Sequence, residues 1–325
     1  MNKTKAKAVV RAMPKPANTF IKVVEIWTPT GNQNNLVLVD GIFDHYDNFR
    51  EHSQKRTFAY DEGLPGKAWS AARPILISNI AYSFFRRKEA AVKAGLSAGI
   101  AIPIFAGDFL QAVVVFLCGE DELHSGAIEL WGTHTEFDEE LNLIDGYYGN
   151  LKRFEWVSRQ LTFTKGTGLP GTVWQMHMPL IIPDLRTSKS FVRANIADEV
   201  GITTGLGIPF FNKQGNEYTL TFFSALGTTI ARHFEIWIPD EAQQKLTLLS
   251  SHTDTDNYDF VQSMTNIPRG QGLTGTVWMT GRPAVSHNLQ EDGLVSDGAE
   301  TELNAALVMP INADGKLKAI INLFF

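Results

Sequence analysis

The sequence predicts an α+β protein made of three tandem copies of one module, each an antiparallel sheet with short helices and loops over one face. Two observations carry this prediction. The segments "GLPGKAWSAARPILISNI", "GLPGTVWQMHMPLIIPDL" and "GLTGTVWMTGRPAVSHNL" begin at Gly63, Gly168 and Gly272, at intervals of 105 and 104 residues. Other landmarks keep the same step. "VEIW", "IELW" and "FEIW" end at Trp27, Trp131 and Trp237, while "GIAIPIF", "GLGIPFF" and "ALVMPIN" carry Pro103, Pro209 and Pro310. A period of this length with its landmarks in fixed order marks repeated structural units.

Each element follows from local pattern. The tryptophan segment and the apolar run after it read as a hairpin; in the first copy "PTGNQN" supplies the turn before "NLVLVDGIF". A variable polar stretch precedes the glycine turn, and a short helix such as "GKAWSAAR" comes next. That helix is stopped by Pro74, Pro179 or Pro283, because proline cannot continue the hydrogen-bond ladder. A short strand ("ILIS", "LIIP") leads to a second helix ending at Gly95 or Gly201, glycine being a favoured C-cap. A closing hairpin completes the module, and in the third copy "NADGK" is its turn. The expected order is β-β-α-β-α-β-β. Residues 1–17 read as a solvated basic tail, and the modules as 18–122, 123–229 and 230–325. The bridges between modules are short, so the modules should touch closely, with strand exchange between neighbours a further expectation.

Composition narrows the function. A formal net charge of -6 and a pI near 5.8 argue against general nucleic-acid binding and against docking on acidic membranes. One cysteine, Cys118, excludes an internal disulfide framework and fits a reducing compartment. The N-terminus has no apolar core of a secretory signal, and no stretch is long and apolar enough to span a bilayer. A cytoplasmic location is expected.

"GTGLPG", Gly166 to Gly171, has the G-x-G-x-x-G spacing of a dinucleotide-binding turn, with Asp184 downstream. That reading fails. The helix has room for about two turns before Pro179, too short to present its N-terminus to a pyrophosphate as such folds do. The first glycine is replaced by Asp61 in the first copy, and Pro170 removes a backbone N–H from the loop. The glycines instead make a tight turn, and Trp69, Trp174 and Trp278 anchor the short helix by the area they bury. The eight histidines form no metal-ligand spacing; His45 and His52, seven apart, share at most a helix face. "DTDNYD", Asp254 to Asp259, lacks the glycine and distal glutamate of an EF-hand. No nucleophile or acid–base pair repeats at a pocket position, and no enzyme is expected.

The motifs G-L-P-G-x-x-W, x-P-x-x-I-x-D/N-L and the proline-bearing closing hairpin resemble the GAF domain, a sensory module related in shape to PAS, in three copies over nearly the whole chain. The first two copies also show Phe85-x-Arg87-x-x-x-Ala91-x-x-x-Gly95 and Phe191-x-Arg193-x-x-x-Ala197-x-x-x-Gly201, a helix pattern similar to that of many sensor-kinase GAF domains. The resemblance implies a non-catalytic sensory or regulatory role: binding of a small molecule, with no cofactor specified, and output through a separate protein. The alternative is a ligand-free interaction or dimerisation scaffold; a homo-oligomer fits either. The cyclic-nucleotide motif N-K-x-F-x-x-x-D-E is absent, and a methionine sulfoxide reductase of this type would need more than one cysteine.

Arg87 and Arg193, each two residues after an aromatic (Phe85, Phe191), have the chemistry to clamp a carboxylate or phosphate bidentately; the competing reading pairs each with a neighbouring acid. The second module keeps every feature: the full glycine turn, Trp174, Asp184 and the Phe191–Arg193 segment. The first has Asn79 in place of the acid. The third has Asn288 there and "QEDGLVSDGAETEL" in place of the aromatic–arginine segment. The expectation is therefore an anionic metabolite held in the second module by Arg193, or else an internal Asp184–Arg193 pair.

Overall fold

The computed structural model describes residues 19–31, 33–119, 126–135, 137–212, 216–225, 228–253, 265–298, 301–313 and 316–325. The basic tail, the 254–259 acidic stretch and the turn at 314–315 lie outside them.

The first module runs β1 (Ile21–Pro29), β2 (Asn35–Ile42), α1 (Asp47–Gln54), β3 (Thr57–Ala59), α2 (Gly63–Ala71), β4 (Ile75–Ile77), α3 (Lys88–Lys93), β5 (Leu96–Ala106) and β6 (Phe109–Gly119). The second repeats it as β7 (Gly126–Gly132), β8 (Glu140–Tyr147), α4 (Lys152–Ser158), β9 (Thr162–Thr164), α5 (Gly168–Met176), β10 (Leu180–Ile182), α6 (Ala194–Val200), β11 (Ile202–Phe211) and β12 (Glu217–Ala225). The third comprises β13 (His233–Pro239), β14 (Lys245–Thr253), β15 (Asn266–Pro268), α7 (Gly272–Thr280), β16 (Ala284–Ser286), β17 (Ala306–Ala313) and β18 (Lys316–Phe324). Each module is one antiparallel six-stranded sheet of the same order, β3-β2-β1-β6-β5-β4 in the first.

Two elements exceed the expected order. The polar stretch holds a helix in the first two modules, α1 and α4, and a three-residue strand follows it in all three. The glycine turn is also closer to its helix than expected, since G-L-P-G forms the first turn of α2 and α5. Pro65 and Pro170 sit where helical N–H groups have no intrahelical acceptor, so proline costs no hydrogen bond there. Gly168 enters the helix at φ +61°, and a Cβ on Gly171 would lie 2.1 Å from the Thr164 carbonyl oxygen of β9. Close approach of helix and strand, not a phosphate, requires these glycines. Gly171→Ala is expected to destabilise by about 1–3 kcal/mol, as forced overpacking does, and chemical denaturation would show it. An unchanged midpoint would mean that β9 moves away freely.

The helices end before the prolines. Ala72, His177 and Gly281 adopt the left-handed conformation and close α2, α5 and α7. The second helix starts later than the pattern suggested, so Arg87 and Arg193 are N-cap residues of α3 and α6, outside the helix body.

Each sheet carries helices on one face. The other face is buried against the other two modules: Ile100 and Phe116, Leu206 and Phe222, and Phe234, Leu307 and Ile321 belong to one core shared by all three sheets. Phe116 meets Phe222 edge-to-face across the first junction at 5.7 Å between centroids. The contacts run in a ring. The β4 strand touches β8, β10 touches β14, and β16 touches β2, so each module presents β2 or its counterpart to the short edge strand of a neighbour. Near the axis Ile102, Ile208 and Met309, with their neighbours, surround a pit of about 60 Å³. The modules thus touch closely, as the short bridges imply. Exchange of strands is not seen: every named strand stays in its own module's sheet, and the bridge between Thr19 and Thr229 lies outside them.

Candidate functional site

The repeated glutamate of "VEIW" and "IELW" organises the helix-side interior of the first two modules. Glu25 on β1 and Glu129 on β7 are fully buried among apolar neighbours. Burial of a carboxylate demands a charged partner and donors, and both are supplied internally. The Arg87 guanidinium reaches Glu25 bidentately, Nη2 donating to Oε2 at 2.8 Å and Nη1 to Oε1, and Nη1 also contacts Ser53 Oγ of α1. Trp27 Nε1 donates to the same carboxylate at 2.9 Å. Arg193 repeats this with Glu129 and Ser158, Nη2 to Oε2 at 2.9 Å, and Trp131 Nε1 donates to Glu129 at 2.9 Å.

Each guanidinium is also boxed by rings. Trp27, Phe49, Phe58 and Phe85 lie 4.9–5.7 Å from Arg87. Trp131, Phe154, Phe163, Phe191 and Phe223 lie 4.3–5.9 Å from Arg193. Burial alone would raise the Glu129 pKa, but the Arg193 charge, with hydrogen bonds from Arg193, Ser158 and Trp131, outweighs it and holds the group below the ordinary glutamate value.

The residues singled out in sequence are therefore placed as follows. Arg87 and Arg193 are 3% and 2% exposed, engaged by buried glutamates that the sequence reading did not single out. Phe85 and Phe191 are walls of the same boxes. Asp184 is not paired with Arg193: it accepts from the backbone N–H and Nε of Arg186, each at 3.0 Å, at the surface. Trp174 is buried beside Trp131 and Phe163 and donates to Glu217, with Lys165 4.7 Å from its ring. The missed signal was the glutamate itself, an acid recurring two residues before each tryptophan in an otherwise apolar strand.

The third module keeps the acid and changes its surroundings. Glu235 is buried and accepts from Trp237 Nε1 and Asn322 Nδ2, both at 2.8 Å, with His233 Nε2 at 3.5 Å. Asn322 also donates to Thr274 Oγ1 at 3.1 Å. No helix replaces α3 in this module among the described residues.

A larger opening lies elsewhere, between the first and third modules: a cleft of about 570 Å³ lined by β1, the β2–α1 corner and module-three residues including His287, Asn304, Ala305 and Phe325. Its origin is readable from the ring. Ile42, Tyr147 and His252 are equivalent, each pairing with the residue three before the conserved tryptophan. At the junction of modules two and one, Tyr147 stacks on Phe20 and its Oη is 3.4 Å from Ser97 Oγ. At the junction of modules three and two, His252 Nε2 is 3.3 Å from Thr204 Oγ1. At the remaining junction the corresponding residues are Ile42, Asn304 and Ala305, and the space stays open.

Residues 217–325 match the family model of the GAF domain. No curated protein matches the chain significantly. Among solved structures, the Aquifex aeolicus nlh2 GAF domain in an inactive state is 23% identical, over 31% of this chain and 60% of that one, at a TM-score of 0.26. Free methionine-R-sulfoxide reductase from Neisseria meningitidis in complex with its substrate is 17% identical, over 29% and 52%, at 0.23. A Staphylococcus aureus NreA protein mutated in its nitrate-binding site is 12% identical, over 31% and 74%, at 0.26. The match thus spans little more than half of the first two of these chains. The family match covers the third module, and the first two modules repeat its six-stranded sheet order. Modules of this kind are in general sensory ligand-binding or interaction units.

Proposed function

We propose that the protein is a non-catalytic regulatory protein that takes a small molecule into the cleft between its first and third modules and acts through a separate protein. The cleft carries this reading. Its volume falls in the range of about 300–1,000 Å³ usual for small-molecule sites, and it arises at one of three equivalent junctions because the plugging side chain is short there. The interiors of the first two modules speak against a ligand there, since each is occupied by its own arginine. Sulfoxide reductase chemistry is disfavoured by the single cysteine: Cys118 is buried in the shared core, and burial pushes its thiol pKa far up, away from the reactive thiolate. The same cysteine usage supports a reducing compartment.

The second reading, a ligand-free scaffold, is favoured by those arginine-filled interiors. Native mass spectrometry of protein purified without denaturant, followed by a thermal-shift metabolite panel, separates the two. A bound species or shift is expected in the parent protein and absent in Ile42→Tyr, which copies Tyr147 into the open junction. A response that survives Ile42→Tyr would move the site elsewhere. No response to any compound, with no co-purified ligand, would favour the scaffold.

A further inference from the structure

The helix tryptophans of the three modules have different company. Lys165 lies 4.7 Å from the Trp174 ring and 3.9 Å from the Glu217 carboxylate, and Arg269 lies 5.7 Å from the Trp278 ring. These two cations hold one position of the repeat, three residues before the helix glycines Gly168 and Gly272. The first module has Tyr60 there, three before Gly63, and its ring meets Trp69 edge-on at 5.2 Å between centroids. The next position changes too. Gly166 and Gly270, at φ +81° and +83°, are matched by Asp61 at φ +63°. Glycine adopts this left-handed conformation without strain, so an aspartate kept there adds a carboxylate at a conformational cost. Among the described residues no cation stands over Trp69; Lys67 of the same helix lies over Phe84 instead, at 5.3 Å.

We propose that Tyr60, Asp61 and Trp69 form a docking point for an arginine or lysine side chain of a separate protein, which takes the place that Lys165 and Arg269 fill from within the other two modules. The proposal is independent of the cleft. The corner is open: Tyr60 is 59% exposed, and Trp69 is half-buried where Trp174 and Trp278 are buried. An aromatic face attracts a cation electrostatically, tryptophan most strongly, and a carboxylate adds a charge-assisted hydrogen bond. Asp61 has an acceptor to give. Ser70 Oγ and Lys67 Nζ both donate to Oδ1, at 3.0 and 3.2 Å, while Oδ2 accepts no hydrogen bond among the described residues. Those two donors, with the Lys67 charge, hold the Asp61 carboxyl below the usual aspartate value, so it is ionised at neutral pH. Lys67 offsets part of that charge, but an exposed pair of this kind is weak. So open a corner cannot enclose a free small cation. A side chain carried by a protein brings further contact with it, and the corner is one anchor of that contact.

The test titrates the full chain with acetyl-glycyl-arginyl-glycine amide and with its citrulline counterpart, which keeps the shape and lacks the charge. The readout is the Trp69 indole N–H signal in nuclear magnetic resonance, assigned by its loss in Trp69→Phe. The expected result is a saturable shift with the arginine peptide, half-complete at about 1 mM, and none with the citrulline peptide. Tyr60→Lys with Asp61→Gly copies Lys165 and Gly166 into the first module and should abolish the shift by supplying the cation internally. If that variant fails to fold, Asp61→Asn serves instead and should weaken binding about tenfold. Equal response to both peptides, no response to either, or full binding in the substituted chains would overturn the proposal. The chain's own basic segment is the rival occupant. A Trp69 signal that moves, without peptide, when Lys3, Lys5, Lys7, Arg11 and Lys15 are all changed to Gln would assign the corner to that segment and reject a separate partner.

Discussion

Arg193→Ala is expected to lower the unfolding free energy by about 3–5 kcal/mol, because it leaves the Glu129 carboxylate charged, buried and without its cation. Urea denaturation monitored by tryptophan fluorescence is the measurement, and Trp131, which donates to the same carboxylate, is a reporter inside the damaged box. The pair as a whole contributes far less than this, since desolvating two ions offsets most of their attraction. Arg193→Met combined with Glu129→Gln removes both charges and keeps an amide oxygen for Trp131. That double variant should recover at least half of the loss. A double variant no better than Arg193→Ala would show that the rings, and not the charge, depend on the guanidinium. Loss of ligand response in Arg193→Ala carries no information about a binding site, because the fold is damaged first.

The same pair sets an acid limit. The Glu129 pKa is lowered in the folded state, so its contribution is present above the unfolded value of about 4.3 and is lost as pH falls through the folded one. Stability from this group should be flat from pH 6 to 8 and decline below about pH 4.3. In the double variant, where position 129 no longer titrates, the decline should be shallower. Parallel pH profiles for the parent and the double variant would exclude Glu129 as its source.

The sheets were legible because their punctuation repeats: a tryptophan in the first strand, glycines in the helix turn and a proline in the fifth strand recur in register. The helices α1 and α4 were not legible, and the reason is physical. Each buries one phenylalanine and one serine four residues later, Phe49 with Ser53 and Phe154 with Ser158. The serine is buried because it meets the arginine, so a polar residue stands where helical periodicity calls for an apolar one. The arginines were found by spacing, but their partners are 62 and 64 residues distant in sequence, on the first strand of each module. The open cleft had no sequence signature, since it exists only as the difference between Ile42, Tyr147 and His252 at three junctions. The shared core did leave a trace. Unbroken apolar runs such as "AVVVFLC" are what a strand buried on both faces requires, yet the modules' helices cover only one face.

That second buried face, shared by all three sheets, predicts that the modules unfold as one unit. Phe222 on β12 is buried in the shared core and lies edge-to-face on Phe116 of the first module, with Phe234 of the third in the same cluster. Phe222→Ala removes a ring from a site enclosed by all three sheets, where neighbours cannot collapse independently, and should cost about 3–5 kcal/mol. Because the cavity opens between modules, the loss should not appear as selective melting of the second one. Calorimetry of the parent should give a single transition whose calorimetric and van't Hoff enthalpies agree, as they do for one cooperative unit. In Phe222→Ala that transition should move down in temperature without splitting. Hydrogen exchange should rise together in β6, β12 and β18, the middle strands of the three sheets. Three resolved transitions in the parent, or exchange confined to β12 in the variant, would show independent modules joined by short bridges, and would leave the cleft between the first and third without a fixed shape to recognise anything.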